Sequence, residues 1–403
     1  MTSFPATRFL DARTPPHLLT LVLLAGIAAL NMSVFLPSLA RMAEHFGTSY
    51  AVMQFSVSGY LAVTGALQLV IGPLADRFGR RPVVLGALAV FVLASLGAML
   101  APTVGWFLAF RMSQGAVVTG IVLSRAIVRD MVPQNEAASM IGYVTMGMAL
   151  VPMIGPMIGG ALEELYGWQA TFAFLAAAGL GVLALAAADQ GETAPAHEPG
   201  RSHFAEAPEL FASPRFWGYV LAAAFASGAF FAYLGGASFV AETVFGLSPL
   251  WTGIALGAPA IGYAAGNYLT ARFAARTGAN RLILIGTLIA AGGMGLSLIL
   301  TLAGLESPVA FFGLCTFLGL GNGLTMPNAT AGLLSVRPRL AGTASGLGGA
   351  IMIGGGAALS ALAGALLTEE TGALPLQVIM VVTSALSTCA ILFVIRRARA
   401  VGA

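Results

Sequence analysis

Long apolar runs broken by short charged knots set the pattern of this chain. Thr48 to Ala75 carries no formal charge and Pro82 to Phe110 carries none. Between them Gly72–Pro82 reads Gly-Pro-Leu-Ala-Asp-Arg-Phe-Gly-Arg-Arg-Pro, with four charges in eleven residues. Crossing a hydrocarbon core takes about 20 predominantly apolar residues, and lipid admits only helices or closed barrels. The runs show no polar–apolar alternation, so helices are expected and a barrel is not. Cutting at charges and loop residues predicts twelve spans, about 17–39, 51–74, 83–101, 104–127, 137–161, 168–187, 216–240, 250–271, 282–303, 308–330, 341–366 and 374–395. The expected fold class is an all-α polytopic membrane protein, and an even count puts both termini on one side.

The one sizeable hydrophilic stretch, Asp189–Pro214, is rich in Pro, Glu, Ala and His and offers only Phe204, Leu210 and Phe211 to a core. It reads as a linker rather than a folded domain. The expected organisation is a six-helix half over 1–188, a linker over 189–214 and a second six-helix half over 215–403. A shift of 195 residues lays Leu74-Ala75-Asp76-Arg77-Phe78 over Leu269-Thr270-Ala271-Arg272-Phe273 and Phe35 over Phe230, as in a duplicated unit, with Ala271 where Asp76 would stand. Parallel repeats with a site between them near the membrane midplane are a transporter architecture.

Composition agrees. Hydrophobic residues make up 58% and charged residues 9% of 403, against about 25% charged in a soluble domain. All 19 basic residues are arginine, which with the abundant Ala and Gly suggests a bacterial source. With a cytoplasmic amino terminus, Arg41 alone falls in an outer loop, Arg111 and Arg125 fall within a span, and every other arginine lies inside, the positive-inside pattern of a bacterial inner-membrane protein. Arginines scattered over short loops form no nucleic-acid face. Cys315 and Cys389 lie in apolar runs, and His17, His45, His197 and His203 lie at ends or in loops. No metal site, cofactor or catalytic constellation is therefore expected, and the protein is not read as an enzyme. The first apolar stretch, Thr14–Ala40, exceeds a signal h-region and is expected to stay as a span, although Ser38-Leu39-Ala40 mimics a cleavage site.

Candidate chemistry starts with Arg111. Seven residues past Val104, it lies about 10 Å into its span. An arginine at a helix centre costs on the order of 2.5–3.5 kcal/mol, so it should face the bundle interior. Gln114 shares its face one turn on. Span five holds Gly155-Pro156-Met157-Ile158-Gly159-Gly160, where proline removes a backbone donor and glycines admit a second helix, predicting a bend and a close seam. Candidate lining residues of an apolar, aromatic cavity are Asn31, Phe35, Tyr60, Gln114, Met146, Phe230 and Tyr233; aromatics and methionines also serve as plain gap-fillers between helices.

These motifs resemble the major facilitator superfamily. Gly72–Pro82 is similar to its pattern between spans two and three, Arg111-x-x-Gln114-Gly115 to its span-four motif, and Gly155–Gly160 to the Gly-Pro-x-x-Gly-Gly of its exporters. Leu30–Pro37 and Ala126–Asp130 add a likeness to the Bcr/CflA drug-resistance branch, strongest in the first half. The resemblance implies two pseudo-symmetric six-helix bundles, alternating access, and export of small lipophilic compounds coupled to proton entry. It assigns Asp76, Arg80, Arg129 and Asp130 to a charge cluster that holds the cytoplasmic side closed. Asn31 departs from it, standing where the family usually has aspartate. All sixteen acids lie in loops or within about a turn of a span end, so no mid-depth carboxylate remains to carry a proton. The expected function is efflux of neutral or anionic lipophilic compounds, with the proton as possible coupling ion and the bilayer as solvent, by a monomer. The alternative is a facilitator or importer of a neutral metabolite without tight proton coupling.

Overall fold

The computed structural model describes residues 7–132, 134–194, 212–336 and 341–400. Among them the chain forms helices and no strand, and ten helices are long and apolar enough to cross a membrane. In chain order α1 is Leu18–His45, α2 Tyr50–Phe78, α3 Arg80–Met99 and α4 Val104–Met131. Next come α5, Gln134–Tyr166, α6, Trp168–Asp189, and α7, Pro214–Val244. Two consecutive pieces, Pro249–Leu256 and Ala258–Thr277, make α8. α9 is Ala279–Leu302, α10 Pro308–Ser335, α11 Ala341–Leu366 and α12 Leu374–Ala400. With α5 and α8 added to the ten, the order is consistent with the twelve expected spans. The bulk of the expected linker, 195–211, lies outside the described residues, as do Arg201, Arg337 and Arg339.

Large apolar side chains cover the outside of the bundle: Leu93, Trp106 and Ile299 are more than half exposed. In water such a surface would drive aggregation; in lipid it is the solvated face. Polar side chains turn inward instead, with Asn31, Arg111, Gln114, Ser95 and Thr325 fully buried.

Several spans are interrupted where the site lies. α1 stops being α-helical after Ser33 and resumes through the 3-10 turn Leu36–Ser38, where Pro37 lacks an N–H to continue the ladder. α4 tightens into a 3-10 turn over Gln114–Val118. The α2–α3 turn passes through Gly79 at φ 95° and the α8–α9 turn through Gly278 at φ 82°, the left-handed region that favours glycine. These matching turns lie 199 residues apart, so the 195-residue register from the sequence is corrected by one helical turn. Arg77 then corresponds to Arg276, each the last-turn base of its helix.

One buried carboxylate orders the first half at the end that carries Asp76 and Arg80. Asp189, expected to open the linker, instead closes α6 fully buried. Its Oδ1 accepts from Leu10 N at 2.7 Å and its Oδ2 from His17 N at 2.8 Å and Thr20 Oγ1 at 2.6 Å. A carboxylate of low sequence visibility thereby receives the start of α1. At the opposite end the two halves are joined. Ser238 Oγ donates to Leu36 O at 2.6 Å, Tyr50 OH to Gly235 O at 2.9 Å, Gln54 Nε2 to Ser360 Oγ at 2.9 Å, and Leu250 N to Glu164 Oε2 at 3.1 Å. The hydrogen bonds between halves among the described residues cluster at this end, which is sealed.

Asp189→Ala leaves three donors without their acceptor, each costing about 1–3 kcal/mol when buried. The variant is expected to unfold in detergent well below the parent, while Asp189→Asn retains part of the loss. Equal thermal midpoints for the parent and Asp189→Ala would contradict the tether.

Candidate functional site

Arg111 sits at the centre of a cage built by α1, α2 and α4. Its Nε donates to Ser56 O at 3.0 Å, Nη1 to Asn31 Oδ1 and to Gln114 Oε1 at 2.7 Å each, and Nη2 to Asn31 O at 3.0 Å. The guanidinium carbon lies 4.1 Å from the ring centroids of both Phe35 and Tyr60. Each interruption serves this arrangement. Asn31 stands in the last turn of α1 before its break, where terminal carbonyls lose their helical partners, and its carbonyl turns to Arg111. Gln114 opens the 3-10 turn three residues after Arg111, and its Nε2 donates to Ser95 Oγ of α3 at 2.7 Å.

The charge balance of the cage is unusual. No carboxylate pairs with Arg111 among the described residues; its acceptors are amide and backbone oxygens and its flanks are aromatic faces. Hydrogen bonds to charged groups contribute about 1.5–3 kcal/mol each, and desolvated cation–π contacts about 2 kcal/mol or more. Four such bonds and two rings are of the size needed to hold a bare cation in an apolar span.

The charge cluster lies at the other end of α2. Arg80 Nη1 meets Asp76 Oδ1 at 2.6 Å and Arg80 Nε meets Asp130 Oδ2 at 3.2 Å, so one guanidinium bridges α2, α3 and α4. Arg80 and Asp130 are mostly covered, whereas Asp76 is open to solvent. Arg129 is exposed and acts on Asp130 through space rather than by direct pairing. Sequence reasoning missed Glu192. Its Oε1 accepts from Arg80 N at 2.8 Å and its Oε2 from Arg81 N at 3.2 Å, capping the start of α3. It also lies against Gly79, where a Cβ would collide with the carboxylate. Burial alone would raise its carboxyl, but the N–H groups of Ala194, Arg80, Arg81 and Thr193 outweigh this and hold it below its ordinary range.

The span-five seam touches both halves. A methyl group at Gly155 would come within 2.6 Å of Ser33 Oγ, one at Gly159 would overlap the Val34 carbonyl, and one at Gly160 would overlap the Pro249 carbonyl of α8. Pro156 is buried, with its carbonyl against Gly253 of α8. Gly159 thus lies on the break in α1 and Gly160 on the start of α8.

Of the expected cavity residues, Phe35 and Tyr60 are closed over Arg111, at 0% and 3% exposure, and face no open space in this conformation. Attraction between the cation and the electron-rich ring faces accounts for the difference. Tyr233 is fully buried, donating to Ala255 O at 3.3 Å and stacking at 6.4 Å on half-buried Phe230. The side chain of Met146 lies outside the described residues.

The chain matches the family model of the Major Facilitator Superfamily over residues 21–361. It belongs to that superfamily and is a multi-pass membrane transporter. Its relatives include drug-resistance carriers of the Bcr/CflA type. It is 28% identical over 356 residues to a bicyclomycin resistance protein homolog of Haemophilus influenzae, covering 86% of this chain and 88% of that one. It is 38% identical over 164 residues to a chloramphenicol resistance protein of Pseudomonas aeruginosa, covering 40% and 38%. An uncharacterized MFS-type transporter of Bacillus subtilis, YdgK, is 29% identical over 376 residues, covering 91% and 92%. A crystal structure of a bacterial homolog to the human lysosomal transporter Spinster superposes with a TM-score of 0.73 at 21% identity, covering 95% of this chain and 96% of that one, and shares the fold.

Because the carboxyl of Glu192 is held low, its contribution is complete above an ordinary glutamate pKa of about 4.3 and is lost as the pH falls through its folded value. Glu192→Gln is expected to lower the thermal midpoint in detergent at neutral pH, and the gap from the parent should close below about pH 4. A gap independent of pH would remove the charged cap.

Proposed function

We propose that the protein is an efflux carrier of small lipophilic compounds, neutral or anionic by preference, working by alternating access in the bacterial inner membrane with both termini in the cytoplasm. The observation that carries this reading is the Arg111 cage, a buried positive charge with acceptors but no counter-carboxylate. A site whose fixed charge is positive repels a permanent cation and accepts a dipole or an anion. Names of relatives support the efflux direction, two of them being resistance proteins. Asn31, Gln114, Phe35 and Tyr60 act in this reading as the group that holds Arg111. Phe230, Tyr233 and Met146 are proposed as the aromatic and thioether side of the substrate path.

Asp76, Arg80, Arg129 and Asp130 are proposed as the cytoplasmic gate. An exposed ion pair alone contributes little, about 0–1 kcal/mol, but a covered guanidinium shared by three helices can be broken and remade as the halves rock. The Gly155–Gly160 seam supplies the close approach on which rocking turns. Uncoupled transport of a neutral metabolite is the second reading, and Asn31 favours it, since an amide on Arg111 Nη1 does not titrate.

Expression in a drug-sensitive bacterium is expected to protect against a neutral amphenicol more than against a quaternary ammonium compound. Equal protection against both would contradict the charge argument. Asn31→Asp is expected to introduce a titratable carboxylate at the cage, so that in proteoliposomes substrate-linked proton flux, read with a pH-sensitive dye, rises severalfold over the parent. An unchanged flux would show that this position does not govern coupling.

A further inference from the structure

At the sealed end two carboxylates from different halves converge. Glu163, one turn from the end of α5, is 4% exposed; the Ser38 hydroxyl lies beside its carboxylate, and its Oε2 is buried without an aligned hydrogen-bond partner. Glu242 lies in the widened turn Val240–Val244 that ends α7, and its Oε1 is likewise buried without a partner. Each lies within electrostatic reach of the other across the seal. Among the described residues the surroundings supply one positive charge: Arg41 Nε approaches Glu163 Oε1 at 4.0 Å from a half-exposed position. Glu44 adds a further negative charge and Tyr50 a hydroxyl near Glu242. The neighbouring Glu164 is committed to Ser248 Oγ and Leu250 N, and His45 packs its ring against Phe46 and Trp168. Glu306, Glu369 and Glu370, also of this end, are exposed.

Counting charge, Arg41 balances one carboxylate of the pair and leaves the second unbalanced, with Oε2 of Glu163 and Oε1 of Glu242 out of reach of water although Glu242 as a whole is half-buried. Two like charges sharing such a site do not both stay ionised. A buried carboxylate oxygen without a donor is costly while the group is charged, and taking up a proton removes that charge. We propose that Glu163 and Glu242 together bind one proton across the seal, and that the site exists only while the two halves are closed at this end. When the halves part, the carboxylates separate, hydrate and release the proton to the side they face. Glu163 comes with α5 and Glu242 with α7, so the proton is a ligand of the closed arrangement, not of either half. Acid on that side therefore favours closure, and alkali favours opening. This rests on the reading of the protein as an alternating carrier, and it gives pH a grip on the conformational cycle although the mid-depth position holds Asn31.

The test uses the full chain in lipid nanodiscs, with exposed Cys389 replaced by serine and spin labels on Leu165→Cys and Leu305→Cys. These exposed positions lie at the sealed end of opposite halves. Distance distributions are recorded from about pH 5 to about pH 8. The parent is expected to lose its short-distance population as the pH rises, with a limit of about tenfold per pH unit for a single shared proton. Glu163→Gln and Glu242→Gln, each mimicking the protonated acid, are expected to stay closed across the range, and the control Glu306→Gln to keep the parent's profile. A parent insensitive to pH, or glutamine variants that retain its profile, would overturn the proposal. Should one variant fail to elute as a folded monodisperse species, the other decides. Drug protection is scored separately. A pH-dependent distance with no protection leaves the proton site standing and removes the efflux reading, and protection with a pH-insensitive distance does the reverse.

Discussion

A bare guanidinium inside an apolar bundle is the constraint around which the first half is built. Arg111 is fully buried and its partners are amides, carbonyls and ring faces. Every oddity of local backbone nearby relates to supplying those partners. The break after Ser33 frees the carbonyl of Asn31, the tightened turn after Ser113 places Gln114 beside Nη1, and Ser95 holds the far side of Gln114. A carboxylate at Asn31 would have met the charge with one residue. The amide instead spreads the task over three helices, so moving any of them disturbs the cation.

The two ends of the bundle are held by different means. At the arginine-rich end the bonds run within the first half: Arg80 bridges Asp76 and Asp130, Glu192 caps α3, and Asp189 receives α1. At the other end they run between halves, through Ser238, Tyr50, Gln54 and Glu164. Among the described residues the hydrogen bonds between the halves lie at one end, although α2 and α11 also pack further along, with Gly65 against Ile353, and the glycines of α5 lie at the bonded joint.

The helices and the depth of Arg111 were legible because both follow from a single energetic rule, the exclusion of charge and unpaired backbone from lipid. Gln114 was legible as a companion by helical spacing, and Asn31 was marked only by the family resemblance, as an amide where an aspartate is usual. The acceptors on the main chain were not: Ser56 and Asn31 contribute carbonyls, and any residue has one. Glu192 and Asp189 escaped notice because they lie at the start of a hydrophilic stretch without periodicity, and what makes them matter is the approach of distant backbone N–H groups. Phe35 and Tyr60 were recognised as important aromatics, but spacing does not distinguish a ring that lines a path from one that covers a cation. The repeat was visible, yet its register was off by a turn, because a matching leucine and a matching Arg-Phe pair outweighed the position of the turn glycine.

The clasp formed by Asp189 and Glu192 bears on how the chain is made. These residues reach back 169 to 179 positions to the start of α1 and 112 to the α2–α3 turn. Helices leave the ribosome in order, and domains generally assemble amino-terminal part first. The turn after Gly79 and the entry to α1 therefore wait, their amides hydrated, until α6 has emerged, and the first bundle locks only when its last helix has been delivered.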